Sequence, residues 1–110
     1  MVYQSKPQVI GKVPLSAPSL ELVRKGLWEV VNGDKGTARS IRLADIEISG
    51  KTGTSQVISR KKNDTRSEAE RPAHLRPHAW FIDYAPSVAP EIAVAVLVEH
   101  GEHGFSAAAP

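Results

Sequence analysis

The chain contains no cysteine, so neither a disulfide framework nor a thiolate metal site can form. That absence suits a cytosolic protein and equally a periplasmic one that avoids stray thiols. Charge of one sign is not in excess either. A formal net charge of +2 is too small to imply nucleic acid as a partner. No long hydrophobic run exists: the longest, residues 92–98, falls far short of the roughly 20 apolar residues that a membrane span requires. No secretory leader pattern precedes the polar start MVYQSKPQ, so any membrane role is expected to rest on an anchor outside these residues. What remains is one domain's worth of protein at most. It has 110 residues, 41% hydrophobic and 24% charged, a balance of globular rather than disordered chains.

Residues 9–15 (VIGKVPL) suggest a short strand, which Pro14 demotes to an edge or irregular segment. A helix is expected over about residues 18–32, capped by Ser16 or Ala17, with Pro18 in its first turn and Glu21 facing its positive end. Leu20, Val23, Leu27 and Val30 or Val31 fall on one face, flanked by Trp28, and Asn32-Gly33 supplies a left-handed stop. Thr37 is placed to cap a short helical piece. Extended segments follow at about 46–59, 78–85 and 91–100, with a solvated, flexible loop over 60–76, which has one aliphatic side chain larger than alanine and no aromatic. The last two strands, joined by a tight turn at 87–90, form an antiparallel hairpin.

Both faces of the final strand are apolar: Ile92, Val94, Val96 and Val98 on one, Ala93, Ala95 and Leu97 on the other. Such a strand expects cover on both sides, which one helix cannot give. The chain then runs into SAAAP, a helix entrance. We therefore expect an α+β fragment of a larger domain, with one main helix and three antiparallel strands. On its own the fragment is expected to self-associate, through the last strand or the helix.

Within the first strand, ISGKTGTSQV sets an ammonium, two hydroxyls and a glycine where bulky apolar residues would pack better. Lys51-Thr52-Gly53-Thr54 matches the K-T-G element of penicillin-binding proteins and serine β-lactamases. With HAWFIDYAP and PEIAVAVLVEHGEHGFSAAAP after it, and VPLSAPSLELVRKGLWEVVNGDKGTAR before it, the chain closely resembles the C-terminal part of the transpeptidase domain of class B penicillin-binding proteins. The best match is the elongation type, penicillin-binding protein 2. The resemblance covers nearly the whole chain. It implies a periplasmic D,D-transpeptidase anchored in the inner membrane, acting on peptidoglycan stem peptides through an acyl-serine intermediate that β-lactams trap. No metal or organic cofactor is implied. A D,D-carboxypeptidase, a β-lactam sensor of the same fold and a non-catalytic binding fragment are the alternatives.

On that resemblance Lys51, Thr52, Gly53 and Thr54 form a substrate edge. Lys51 supplies positive potential, worth about 4 kcal/mol at ~4 Å and an effective dielectric of 20. Thr52 and Thr54 donate to a substrate carboxylate, and Gly53 permits close approach. The Thr54 N–H serves as one oxyanion donor, and losing such a donor costs roughly 3 kcal/mol. The bland counterpart is an exposed edge strand dressed with Lys and Thr against aggregation. Neither S-x-x-K nor S-x-N occurs upstream, and Ser59-Arg60-Lys61-Lys62 lies downstream in the polar loop. The nucleophilic serine and its lysine are therefore expected outside this chain, and the chain alone is expected to be inactive.

His100 and His103, with Glu99 or Glu102, have metal-like spacing, yet glycines flank them and a solvated turn is the better reading. Asp83 stands where the family pattern has glycine, and Phe105 departs from its glycine-rich turn; neither is assigned a catalytic role. The loop cations Arg60, Lys61, Lys62, Arg66, Arg71 and Arg76 oppose Asp64, Glu68 and Glu70, with no aromatic for base stacking. Trp28, Trp80, Phe81 and Tyr84 read as core or core-edge aromatics, with a cleft role for Trp80 the minor alternative.

Overall fold

Ser16 starts the main helix. Its Oγ accepts from the Ser19 N–H at 3.3 Å, and Pro18 follows in the first turn, where a missing N–H costs nothing. The computed structural model describes residues 6–58, 65–67 and 70–110. Helix α1 spans Ala17–Asn32; strands β1, β2 and β3 span Ser49–Ser55, His78–Ala85 and Ile92–Val98. They form one antiparallel sheet in the order β1-β2-β3, with Thr52 opposite Phe81 and Phe81 opposite Val96. Short 3₁₀ turns lie at Arg39–Ile41 and Ala73–Leu75, and a π-type turn at Gly104–Ala108.

The core is small: Val31 and Ala38 from the helix end and the segment after it, Ala79 and Phe81 from β2, Ala108 from the π-type turn. Strand alternation explains β2, since Ala79 and Phe81 point inward while Trp80 and Ile82 point out. Val96 and Val98 reach the same core from β3, but Ile92 is 59% exposed. The N-terminal part of the helix stripe is uncovered too, with Val23 51% exposed.

Several local expectations change. Residues 9–15 form no strand; among the described residues this segment pairs with no other, its one backbone bond there running from the Leu15 N–H to the Val13 carbonyl. Glu21 lies beyond the first turn, which carries no acidic residue, and instead contacts Arg24 at 3.2 Å, an exposed pair worth little. Gly33 is not left-handed (φ −71°, ψ 153°). Asn32 finishes the helix instead, its Nδ2 donating to the Trp28 carbonyl at 3.1 Å and to the Ile48 carbonyl at 2.8 Å. Glycine is still needed at 33, because a Cβ there would lie 2.6 Å from the Glu29 oxygen. Within 60–76, Arg71 is only 5% exposed and its carbonyl accepts from Arg76 Nε, so this residue is packed, while Pro72, Ala73 and His74 are exposed. Residues 59–64 and 68–69, including the Ser59-Arg60-Lys61-Lys62 match and most of the loop charges, lie outside the described residues.

The hairpin is tied to the entrance of β1. The Ser87 N–H donates to the Glu47 carbonyl, and the Ser49 and Ser87 hydroxyls meet at 2.8 Å. Trp28 Nε1 donates to Glu47 Oε2 at 3.0 Å from the helix side. These bonds fix how β1 leaves the helix.

Candidate active site

Lys51, Thr52, Gly53 and Thr54 lie in the middle of β1, one edge of the sheet, paired with Ile82, Phe81, Trp80 and Ala79 respectively. Directly opposed residues share a face. Thr52 and Thr54 therefore lie on the core side with Phe81 and Ala79, while Lys51 and Gly53 lie with Ile82 and Trp80. Trp80 is 37% exposed, so it is no core aromatic. Its Cβ would meet a side chain at Gly53 at 3.2 Å.

Lys51 is exposed, and its Nζ donates to the Thr52 carbonyl at 2.7 Å. Among the described residues it has no carboxylate partner. Its side chain borders a cleft of about 550 Å³ walled by the second half of α1 and the turn after it, including Glu29, Gly33 and Thr37. The carboxylates of Glu29 and Asp34 and the ammonium of Lys35 line the same cleft, neither carboxylate within ion-pair distance of Lys51.

Each hydroxyl of the motif has a partner. Thr52 Oγ1 lies 3.2 Å from Thr37 Oγ1. Thr37 thus caps nothing: Ala38 stands at the start of the Arg39–Ile41 turn with no side-chain cap. Thr54 Oγ1 donates to the Glu102 carbonyl at 3.3 Å. Glu102 is held in turn by its N–H to the Pro77 carbonyl at 3.0 Å and by Arg76 at 3.1 Å. Both His100 (φ 56°) and Glu102 (φ 67°) occupy the left-handed region, which stores strain in this loop. Gly104 then packs on the strand so closely that a Cβ would lie 2.8 Å from the Gly53 oxygen and 2.9 Å from its nitrogen. This packing depends on the missing side chain of Gly104, since a Cβ at Gly53 would meet only Trp80.

The two histidines have separate tasks. His100 donates its N–H to His78 Nδ1 at 3.0 Å and sets its own Nδ1 3.0 Å from the Arg76 carbonyl, while His103 stacks on Phe105. His78 must therefore carry no proton on Nδ1.

Asp83 sits opposite Gly50 and Val94 on the core-side face, where burial pushes its carboxyl above the usual range. Its folded form holds the proton to higher pH than the unfolded chain does. Stability is thus full below the ordinary carboxylate pKa and falls as pH rises through the raised one. We expect Asp83→Asn to remove that fall and raise the melting temperature at pH 7 more than at pH 4, read by thermal melts at both.

Residues 1–110 match the penicillin binding protein transpeptidase domain family. The chain belongs to that family. It is 40% identical to the peptidoglycan D,D-transpeptidase MrdA of Haemophilus influenzae over 91 residues, covering 82% of this chain and 14% of that protein. It is 41% identical to MrdA of Acinetobacter baumannii over 100 residues, covering 89% and 15%. The crystal structure of Pseudomonas aeruginosa PBP2 in complex with WCK 5153 superposes with a TM-score of 0.69 at 36% identity, over 97% of this chain and 20% of that one. The chain therefore spans a fifth or less of the length of these transpeptidases. The α+β fold is that of the penicillin-binding protein transpeptidase domain, in its elongation-type, PBP2-like form. The Thr37 and Glu102 contacts to the motif escape any pattern in the sequence, because 15 and 48 residues separate the partners.

Proposed function

We propose that this chain forms one wall of the active site of a peptidoglycan D,D-transpeptidase, with the nucleophilic serine on a different part of the full-length protein. The supporting observation is the edge strand β1, which carries Lys51, bordering an open cleft, next to Thr52 and Thr54, whose side chains leave the other face of the same exposed edge. The serine hydroxyl attacks the carbonyl between the two terminal D-alanines, the amide C–N bond breaks, the hydroxyl proton ends on the amine of the departing D-alanine, and an ester to the enzyme remains. Lys51, Thr52 and Thr54 hold the peptide carboxylate, and the Thr54 N–H faces the oxygen that becomes negative. A β-lactam carries a carboxylate and a carbonyl in a similar relation and is trapped as the ester.

Among the described residues no helix is long and apolar enough to cross a membrane, and the proposed inner-membrane anchor with its periplasmic catalytic domain places the anchor elsewhere in the protein. The exposed stripe through Val23 and the open edge of β3 favour self-association of the isolated 110 residues, which sedimentation reads directly.

A fluorescent penicillin tests the assignment. The full-length protein is expected to take up the label covalently and the isolated chain to stay dark. An unlabelled full-length protein would remove the transpeptidase reading, whereas a labelled isolated chain would place the nucleophile within these residues.

A further inference from the structure

We infer that Thr37 is a positioning residue that orients the Thr52 hydroxyl toward a ligand carboxylate. This rests on the transpeptidase reading and adds to it a residue outside the K-T-G motif. Thr37 is fixed from both sides. The Gly36 N–H donates to the Gly33 carbonyl at 3.0 Å, and the Ala38 N–H donates to the Val30 carbonyl at 2.9 Å, with Ala38 fully buried. The helix end that carries this turn is itself bonded to the strand entrance through Asn32 and the Ile48 carbonyl. Thr37 therefore keeps a constant position relative to β1, and its hydroxyl, which caps no helix, meets Thr52 Oγ1 at 3.2 Å. Thr37 and Lys51 border the same cleft.

A hydroxyl offers one proton and two lone pairs. Left alone, the Thr52 hydroxyl rotates and spends its proton on any acceptor nearby. When Thr37 donates into a lone pair of Thr52, the Thr52 proton is left for another acceptor. A ligand carboxylate held along the open edge of β1 then completes a chain from Thr37 through Thr52 to the ligand. Each bond in such a chain polarises the next. The arrangement discriminates by the ligand's charge as well as its shape, because an ester is a weaker acceptor than a carboxylate.

The test uses the full-length protein and two penicillins, one with a free carboxylate and one with that group as its methyl ester. Second-order acylation rates are read directly for the first and by competition for the second. Thr37→Val keeps the shape and removes the donor, so its rate with the free acid is expected to fall roughly tenfold, the upper range for one hydrogen bond. With the ester the rate stays within about twofold of the native protein, and Thr37→Ser regains most of the loss with the acid. An equal loss on acid and ester, no loss with Val, or failure of Ser to recover would overturn the positioning role while leaving the transpeptidase reading in place. A native full-length protein that forms no acyl adduct would overturn both.

Discussion

Lys51→Ala in the full-length protein is expected to slow acylation by penicillin about 10²–10³-fold, the range typical of removing one preorganised electrostatic group from an acyl-transfer site. The size follows from comparing the charges and dipoles that β1 presents. A hydroxyl bond from Thr52 or Thr54 to a carboxylate contributes about 1.5–3 kcal/mol net. An ammonium at ~4 Å from a carboxylate contributes about 4 kcal/mol even at an effective dielectric of 20. Lys51 has no carboxylate partner among the described residues, so its charge is not already spent, and its contact with the Thr52 carbonyl holds it against its own strand. Lys51→Arg keeps the charge but replaces a compact point donor by a broad planar fork, so a partial loss is expected. Because Lys51 is exposed, the melting temperature of Lys51→Ala should match the native value. Stopped-flow rates with a chromogenic β-lactam decide the matter. A Lys51→Ala rate within tenfold of native would mean that the K-T-G strand is not the substrate edge.

The strand that carries this lysine was legible because its signals are local. Alternation in β2 places Ala79 and Phe81 inward, and the short link between β2 and β3 leaves an antiparallel hairpin as the natural pairing. The misjudged features involve partners far apart in sequence. Asn-Gly at the end of a helix ordinarily signals a left-handed turn. Here the Asn32 amide instead finds the Ile48 carbonyl, 16 residues on, and Gly33 stays extended. Thr37 has the look of a cap, yet the position of β1 gives its hydroxyl a partner in Thr52. Arg71 sits in a charged run that composition assigns to solvent, yet it is buried beside Arg76. Strand β3 stops at Val98 because His100 takes a positive φ to return its N–H to His78, a choice invisible in the run EHGEHG.

The same sheet makes Phe81 the position where stability and site geometry are linked most tightly. Phe81 is 2% exposed and, among the described residues, is the largest side chain in a core of five buried hydrophobics, three of them alanines. Its ring fills the space above Gly50, where an added Cβ would lie 2.7 Å from Cζ, and it stands directly opposite Thr52. Phe81→Ala is therefore expected to cost about 3–5 kcal/mol, from lost transfer energy plus the cavity left behind. With domains stable by only about 5–15 kcal/mol, that is a large share. The surrounding alanines are too short to close the gap. Phe81→Leu keeps most of the apolar volume and should lose less than about half as much. Chemical denaturation of the full-length variants reads the difference, and penicillin acylation below the transition reads its effect on β1. A loss below about 1 kcal/mol would place the supporting core elsewhere. Acylation should fall with Phe81→Ala even where the protein remains folded, because a strand that loses its packing beneath Thr52 no longer holds Lys51 and Thr54 at a fixed separation.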